Sequence, residues 1–427
     1  MSLETDEEIS AVFDEHLTML SEDLSVTSLL LAVSGGSDSM ALMHLASTWA
    51  VQRKLTCSII TIDHDLRIES AREANFVKSA AEALGLKHKT VRWEGWDHKG
   101  NLQMYAREAR YRLIDQNRGQ HRIVLTGHTN DDQAETFLLH LRRGSGVDGL
   151  AAMRAKRKVT GSNGGFWLLR PMLGLSRDKL KLFLKRQKIS WIDDPTNEDT
   201  QFDRIEIRKA IQQLNGLGIT TFLLSKTASH MQRAQAALDM HTGRLARQIC
   251  STQMGDLLIN RSGFLDLHDE LRYRLFASAL RWVSSNPYKP RFDSLIATLE
   301  QILIGKAQTL HGCYIHPKSE HIRISRELNA VANKRIPLSN GILWDNRWKL
   351  ECPDTQIGSF CHVAALGLTG ARWVRERTDT LIPYKSLQSH PGIYDESGLR
   401  CAPSLIANSQ IVATFCAIPF QESFQAY

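Results

Sequence analysis

The 427-residue chain has no apolar run near the roughly 18 residues of a membrane span, so bilayer insertion is not expected. Its beginning, Met1-Ser2-Leu3-Glu4-Thr5-Asp6-Glu7-Glu8, is acidic where a secretory leader is basic and then apolar. The seven cysteines (Cys57, Cys250, Cys313, Cys352, Cys361, Cys401 and Cys416) are scattered, without a C-x-x-C pair. Nothing in that spacing suggests a zinc ribbon, an iron–sulfur cluster or a disulfide framework, and the expected setting is the reducing cytoplasm. The Walker A pattern G-x-x-x-x-G-K-[ST] is missing, which argues against an ordinary P-loop NTPase. Internal repeats and low-complexity segments are missing as well.

What is present is ordinary globular composition, 42% hydrophobic and 23% charged, at a length that suits about two or three domains. The formal net charge of +7 is compatible with a phosphate-rich partner. The most informative segment is Ser34-Gly35-Gly36-Ser37-Asp38-Ser39. It follows the strand-length run Leu29-Leu30-Leu31-Ala32-Val33 and precedes the helix-like Met40 to Ala46, so it sits at a strand-to-helix turn. Adjacent glycines allow close backbone approach, serines add donors, and a helix N-terminus offers unpaired N–H groups. Such a loop suits the pyrophosphate of ATP cleaved between its α and β phosphates. Asp38 beside a polyphosphate is repelled unless a hard cation lies between them, which points to Mg²⁺ with Asp38 as its ligand. The competing reading is a capped Ser/Gly turn with no ligand.

Strand-like and helix-like segments then alternate: Thr56 to Ile62, Glu69 to Leu84, Lys87 to Trp93, Gln103 to Gln116, Arg122 to Thr126 and Asp131 to Leu141. This βαβα order predicts an α/β fold, a Rossmann-like parallel sheet with helices on both faces and ligands at the strand C-termini. A further apolar run spans Phe166 to Leu169, and Arg177 to Lys188 reads as a basic helix, either along a nucleic-acid backbone or as a solvated face. Thr220 to Cys250 has helical spacing, and beyond about residue 335 tryptophans and short β-rich runs predominate. The expected organisation is a catalytic domain over 1–216, a mainly helical connector or RNA-contacting domain over 217–334, and a small β-containing domain over 335–427.

Three further constellations fall near strand ends. Asp63-His64-Asp65-Leu66-Arg67 places His64 and Arg67 toward a nucleotide, although Arg67 can also pair with Glu69 or Glu73. In Asn101 to Tyr111, Arg107, Arg110 and Tyr111 lie within a turn of one another, and fixed guanidinium forks suit polyphosphate charge. Gly127-His128-Thr129-Asn130-Asp131-Asp132-Gln133-Ala134-Glu135 opens a helix with Asp132 and Glu135 at i,i+3 on one face. Those two carboxylates imply a cation between them, a metal or an ammonium, unless Asp131 or Asp132 simply caps the helix.

Taken in order, SGGSDS, DHDLRIES, AREARY, GHTNDDQAET, LLHLRRGSGVDGL, LLRPML and WIDDPTN resemble the bacterial tRNA(Ile)-lysidine synthetases of the PP-loop ATPase superfamily over roughly residues 28 to 208. The resemblance implies that free L-lysine is joined to C2 of the wobble cytidine in a CAU anticodon, using ATP and Mg²⁺. It assigns Ser34 to Ser39, His64 and Arg67 to the nucleotide, and Asp38 to the metal. Arg107 and Arg110 go to developing charge, His128 to the cytosine, and Asp132 and Glu135 to the lysine amine. The partners it implies are tRNA(Ile) and L-lysine, with a homodimer as an assembly to be tested. Where the family usually shows R-N-x-x-R, this chain has Arg204-Ile205-Glu206-Ile207-Arg208, with both flanking arginines kept. The other readings are a PP-loop tRNA thiolase, whose usual paired cysteines are missing here, and a catalytically silent tRNA-binding protein.

Overall fold

The computed structural model describes residues 5–63, 70–93, 102–161, 163–193, 203–353, 361–406 and 410–424. The chain forms two compact units, with the boundary between Ala236 and Ala237. The first unit opens with α1 (Asp6–Ser21), β1 (Ser28–Ala32), α2 (Ser37–Gln52), β2 (Thr56–Asp63), α3 (Ser70–Ala83) and β3 (Lys87–Arg92). It continues with α4 (Leu102–Asn117), β4 (Ile123–Thr126), α5 (Asn130–Arg142), the short α6 (Val147–Leu150), β5 (Lys156–Val159) and β6 (Phe166–Leu169). Helices α7 (Arg177–Arg186), α8 (Asp203–Asn215) and α9 (Thr221–Ile249) follow, and the unit boundary falls inside α9.

Six strands form one sheet in the order β3-β2-β1-β4-β6-β5. Strands β3, β2, β1, β4 and β6 pair in parallel, as the alternating pattern predicts. The central β1 and β4 are continuous apolar runs because both of their faces are covered; all four residues of β4 are buried. The structure adds one antiparallel edge strand to this parallel sheet. β5 pairs antiparallel with β6 and adds a charged edge, Lys156-Arg157-Lys158, too short and polar to read as a strand from sequence.

Helix α1 lies outside the sequence-based expectation as well. Thr5 and Glu8 form a capping box, and Ile9, Phe13 and Leu17, spaced four apart, are buried in the main core with Leu42, Trp49 and Leu180. The chain order turns around between β1 and β4, so the loops after those two strands flank a crevice, the usual ligand position in an open α/β sheet.

The second unit has the rest of α9, then β7 (Cys250–Gln253), β8 (Asp256–Asn260), α10 (Arg261–Leu265), α11 (Asp269–Ser284), α12 (Phe292–Leu303), β9 (Gln308–Leu310), β10 (Cys313–Pro317) and β11 (His321–Arg326). The middle region is helical as its spacing suggests, and it also carries a five-stranded antiparallel sheet, β7-β8-β11-β10-β9. Beyond it come β12 (Ile336–Pro337), β13 (Ile342–Trp344), β14 (Trp348–Glu351), β15 (His362–Ala365), α13 (Gly367–Arg375), α14 (Tyr384–Leu387), β16 (Pro391–Asp395), β17 (Gly398–Cys401) and β18 (Val412–Phe415). They make two small antiparallel sheets, β12-β15-β16-β17 and β13-β14-β18, over a core that includes Trp344, Trp348 and Val363. Among the described residues no helix is long and apolar enough to cross a membrane.

Candidate active site

The loop after β1 is built around Ser39. Its hydroxyl accepts from the backbone N–H groups of Ser34 (3.2 Å) and Gly35 (3.1 Å) and donates to the carbonyl of Gly36 (2.9 Å). Gly35 has φ +93°, which an L side chain rarely adopts, and a Cβ there would lie 3.0 Å from Ile192 Cδ1. Ile192 in turn donates its N–H to Gly35 O at 3.0 Å, so Ile192 braces the turn. Gly36 is the N-cap of α2 and supplies no side-chain cap, leaving the helix start open to an outside acceptor.

The loop after β4 packs directly against this turn. A Cβ on Gly127 would come within 2.9 Å of Asp38 O and 3.1 Å of Ser39 Cα, which explains a glycine between the two loops. Thr129 caps α5: its N–H and hydroxyl donate to Asp132 Oδ2 at 2.8 and 2.9 Å. Asp131 caps a different helix, accepting the N–H of Arg177 at the start of α7 at 2.8 Å. Helix capping thus accounts for Asp131 and for one oxygen of Asp132, and leaves Glu135 unexplained.

The cation between the carboxylates is a guanidinium, that of Arg177. Its Nε donates to Asp38 Oδ2 at 2.9 Å, its Nη2 to Asp132 Oδ1 at 3.3 Å, and its Nη1 lies 3.6 Å from Glu135 Oε1. Arg208 on α8 donates to the same Glu135 oxygen at 2.7 Å. Glu135 is 1% exposed, and its buried Oε2 has no hydrogen-bond partner among the described residues. The first residue of this basic helix therefore turns into the site, while Lys185 and Arg186 at its other end are exposed. Burial raises the pKa of Asp38, helped by the charge of Asp132 and opposed by Arg177. At Asp132 burial also acts upward but is outweighed by Arg177, His128 and the Thr129 hydrogen bonds, and the carboxyl ends below its ordinary value.

His128 stands beside this cluster, with Nδ1 2.9 Å from Thr126 Oγ1. Burial, and then the charges of Arg170, Arg107 and Arg110, hold its pKa far below the ordinary value, so the ring is neutral near pH 7. Arg170, the arginine of LLRPML, is 2% exposed; its Nη1 donates to Arg154 O at 2.5 Å, and its buried Nε has no hydrogen-bond partner among the described residues. Arg107 lies over the Tyr111 ring at 5.8 Å and Arg157 at 5.0 Å, and Tyr111 shares a hydrogen bond with Arg170. Arg107 and Arg110 are exposed on α4. The result is an acidic corner (Asp38, Asp132, Glu135) next to a basic wall (Arg107, Arg110, Arg157, Arg170).

His64 and Arg67 lie outside the described residues. Arg157, Arg170 and Arg177 are site groups missed by sequence reasoning. The tight i,i+3 acid pair already demanded a cation, but nothing local says that it comes from α7. In Arg204-Ile205-Glu206-Ile207-Arg208, Ile207 packs in a core with Phe137 and Leu224, Ile205 is buried, Glu206 pairs with Arg142 at 3.1 Å, and Arg208 reaches Glu135. The departure from the usual motif therefore keeps the arginine that touches the site.

A glycine-serine turn between β1 and α2, set at the reversal of an otherwise parallel sheet, defines the PP-loop class of ATP-using domains, and the PP-loop domain model matches residues 9–215. A tRNA(Ile)-lysidine synthase from Ruegeria pomeroyi is 39% identical over 374 residues, covering 87% of this chain and 87% of its own. One from Wolbachia pipientis wMel is 39% identical over 328 residues, covering 74% of this chain and 75% of its own. The chain belongs to the tRNA(Ile)-lysidine synthase family.

Proposed function

We propose that the protein joins L-lysine to C2 of the wobble cytidine in the CAU anticodon of tRNA(Ile), in the cytoplasm, with ATP cleaved to AMP and pyrophosphate. The observation that carries this reading is the cation-seeking trio Asp38, Asp132 and Glu135 between the PP-loop and the β4 loop. In the first step the cytosine O2 attacks the α-phosphorus of ATP and pyrophosphate leaves. In the second the lysine Nε attacks C2, the bond from C2 to the adenylyl oxygen breaks, and AMP departs.

The roles follow from charge and position. The open start of α2 and the loop from Ser34 to Ser39 take the pyrophosphate, and Arg107 and Arg110 offset charge as it leaves. His128, neutral, faces the cytosine as a hydrogen-bonding group. Asp132 and Glu135 hold the lysine ammonium, whose ordinary pKa is about 10.4, and accept its proton before it attacks. Among the described residues there is no group of three or more His, Cys, Asp or Glu that could hold a metal ion. One carboxylate suffices for Mg²⁺, which keeps waters and phosphate oxygens as its other ligands, so Asp38 fits as the protein's single contribution. Bound there, the ion would neutralise phosphate charge.

RNA contacts beyond the anticodon are assigned to residues 217–334 and 335–427, with the exposed Arg233, Arg244 and Arg247 of α9 as phosphate contacts and the catalytic work placed in 1–216. The test is direct: purified protein with ATP, labelled lysine and total tRNA should place the label at the wobble position of one CAU-anticodon isoacceptor. Pyrophosphate release without lysine transfer would overturn the assignment of the amine seat.

A further inference from the structure

Arg177 has a part in this site that its position explains. Each of its three guanidinium nitrogens faces a different carboxylate: Nε faces Asp38, Nη2 faces Asp132 and Nη1 faces Glu135. The carboxylates come from the N-terminal ends of α2 and α5 and the arginine from the start of α7, and the base of its side chain is fixed because Asp131 holds its N–H. The Arg177 side chain is 23% exposed and that of Glu135 only 2%. An ordinary structural bracket would balance charge. Here, among the described residues, three carboxylates face two guanidinium groups, Arg177 and Arg208, and one buried oxygen, Glu135 Oε2, is left without a donor. Among the described residues the three carboxylates thus outnumber the two guanidinium groups by one.

We propose that Arg177 is a specificity-determining positioning residue: a resident cation that fills the amine seat and sets the threshold an incoming ammonium must exceed. The inference rests on the reading of Asp132 and Glu135 as that seat. Two physical effects give it a sign. A guanidinium within 3.3–3.6 Å of Asp132 and Glu135 repels a second cation brought to the same carboxylates, and it occupies space that cation needs. A simple alkylamine has only its ammonium with which to compete. A free amino acid brings a second charged end and further contacts, so only the larger ligand overcomes the resident group. Meanwhile Arg177 holds the three carboxylates together around one point.

This role predicts the opposite of a structural one. Removing a bracket loosens the site and weakens ligand binding, whereas removing a competitor tightens it. The experiment is calorimetric titration of the full-length, nucleotide-free protein with L-lysine and with n-butylamine. Arg177→Gln should bind lysine about tenfold more tightly than the wild type. Butylamine, without measurable effect on the wild type, should displace lysine from the variant. Millimolar guanidinium ion, added back, should refill the seat and return lysine affinity toward the wild-type value, which no structural role predicts. Unchanged or weaker lysine binding by Arg177→Gln with native circular dichroism overturns the proposal.

Should that variant fail to fold, Arg177→Lys decides. A point charge in place of the fork reaches fewer of the three acids, so lysine should bind about threefold more tightly, and unchanged or weaker binding overturns the proposal. Glu135→Gln separates the two levels of the argument. If it weakens lysine binding while Arg177→Gln does not tighten it, only the role of Arg177 falls; if it leaves lysine affinity unchanged, the amine seat falls and this inference with it.

Discussion

Both units bury arginines against carboxylates, but they do so with different arithmetic. In the second unit Arg323 meets Asp256 at 2.7 Å, and Arg326 grips Asp345 through two bonds of 2.8 and 3.1 Å with Lys334 added at 2.6 Å. Each of these two acids has at least one cation of its own. In the first unit Arg177 is divided among three acids with only Arg208 added on Glu135, and a carboxylate oxygen is left over among the described residues. Paired charges are the pattern of a scaffold, because an unpaired buried charge is strongly destabilising. A shortage of positive charge beside buried acids points to a ligand that supplies it, so the shortage marks the site, whereas Asp256 and Asp345 have Arg323, Arg326 and Lys334 and no such shortage.

The largest effect should come from the acid closest to the PP-loop turn. Asp38→Asn keeps the shape and removes the charge proposed to act through Mg²⁺, and pyrophosphate release should fall by about 10³-fold or more with tRNA binding retained. Wild-type release would remove Asp38 from the chemistry. The matching change in the other unit is Asp345→Asn, which strips Arg326 of a buried partner. It should cost about 3–5 kcal/mol, seen as an earlier calorimetric transition, with pyrophosphate release per folded molecule preserved. If Asp345→Asn instead lowered turnover while sparing stability, the contrast between site and scaffold would collapse.

Glu135→Gln tests the deficit itself. It removes the orphan oxygen's charge but keeps the side-chain volume, so the lysine step should slow by about 10- to 100-fold while adenylation proceeds. Adenylated tRNA should accumulate, which rapid-quench sampling would detect. Equal slowing of both half-reactions would mean that Glu135 only supports Arg208.

Much of the first unit is legible in the sequence because its signals are local. The run before Ser34, the glycines, and the helix after Asp38 lie within about twenty residues, and the order of the motifs points to the family without any knowledge of the fold. The same locality explains the failures. Arg177 lies 139 residues from Asp38 and 45 from Asp132, so no window contains the clamp. Helix α1 carries a readable signal, Thr5 with Glu8 and then apolar residues four apart, which an acidic composition masks. Strand β5 is four residues of mostly basic sequence and becomes a strand only because β6 offers it an edge. In the second unit β7, Cys250-Ser251-Thr252-Gln253, has one buried residue in four, so alternation cannot reveal it.

Each unit also holds a histidine that burial and nearby arginine charge push down to about 3: His128 near the acids, and His390, 3% exposed, near Arg347. Neither takes a proton in the folded protein at pH 6, whereas an unfolded histidine does, below about 6.5. The unfolded chain therefore binds more protons in that window, and stability should be full above pH 6.5 and decline as pH falls below it. Replacing either histidine with glutamine should flatten that decline in urea midpoints measured from pH 7.5 to 5.5. Only His128→Gln should also change the rate of adenylation, and a rate effect from His390 would show that the second unit reaches into the chemistry.

The smallest expected effect lies on α9. Arg233, Arg244 and Arg247 are exposed, and the formal charge of +7 leaves cations beyond those paired inside the two units. If they touch phosphates, each neutralised phosphate releases counterions, and log affinity falls with log salt at a slope set by the number of phosphates engaged. Changing all three to alanine should then weaken tRNA binding only a few-fold at low salt and reduce that slope by about one per arginine removed. Discrimination between CAU-anticodon tRNAs should not move, because phosphate contacts carry no base information. The comparison of the units gives the counterpart: Arg177→Gln leaves the number of engaged phosphates as it was, so its tRNA salt slope should match the wild type while its lysine affinity changes. Filter binding from 50 to 300 mM salt separates these outcomes. An unaltered slope in the triple variant would place the RNA on another face, and an altered selectivity would mean that α9 reads more than phosphate.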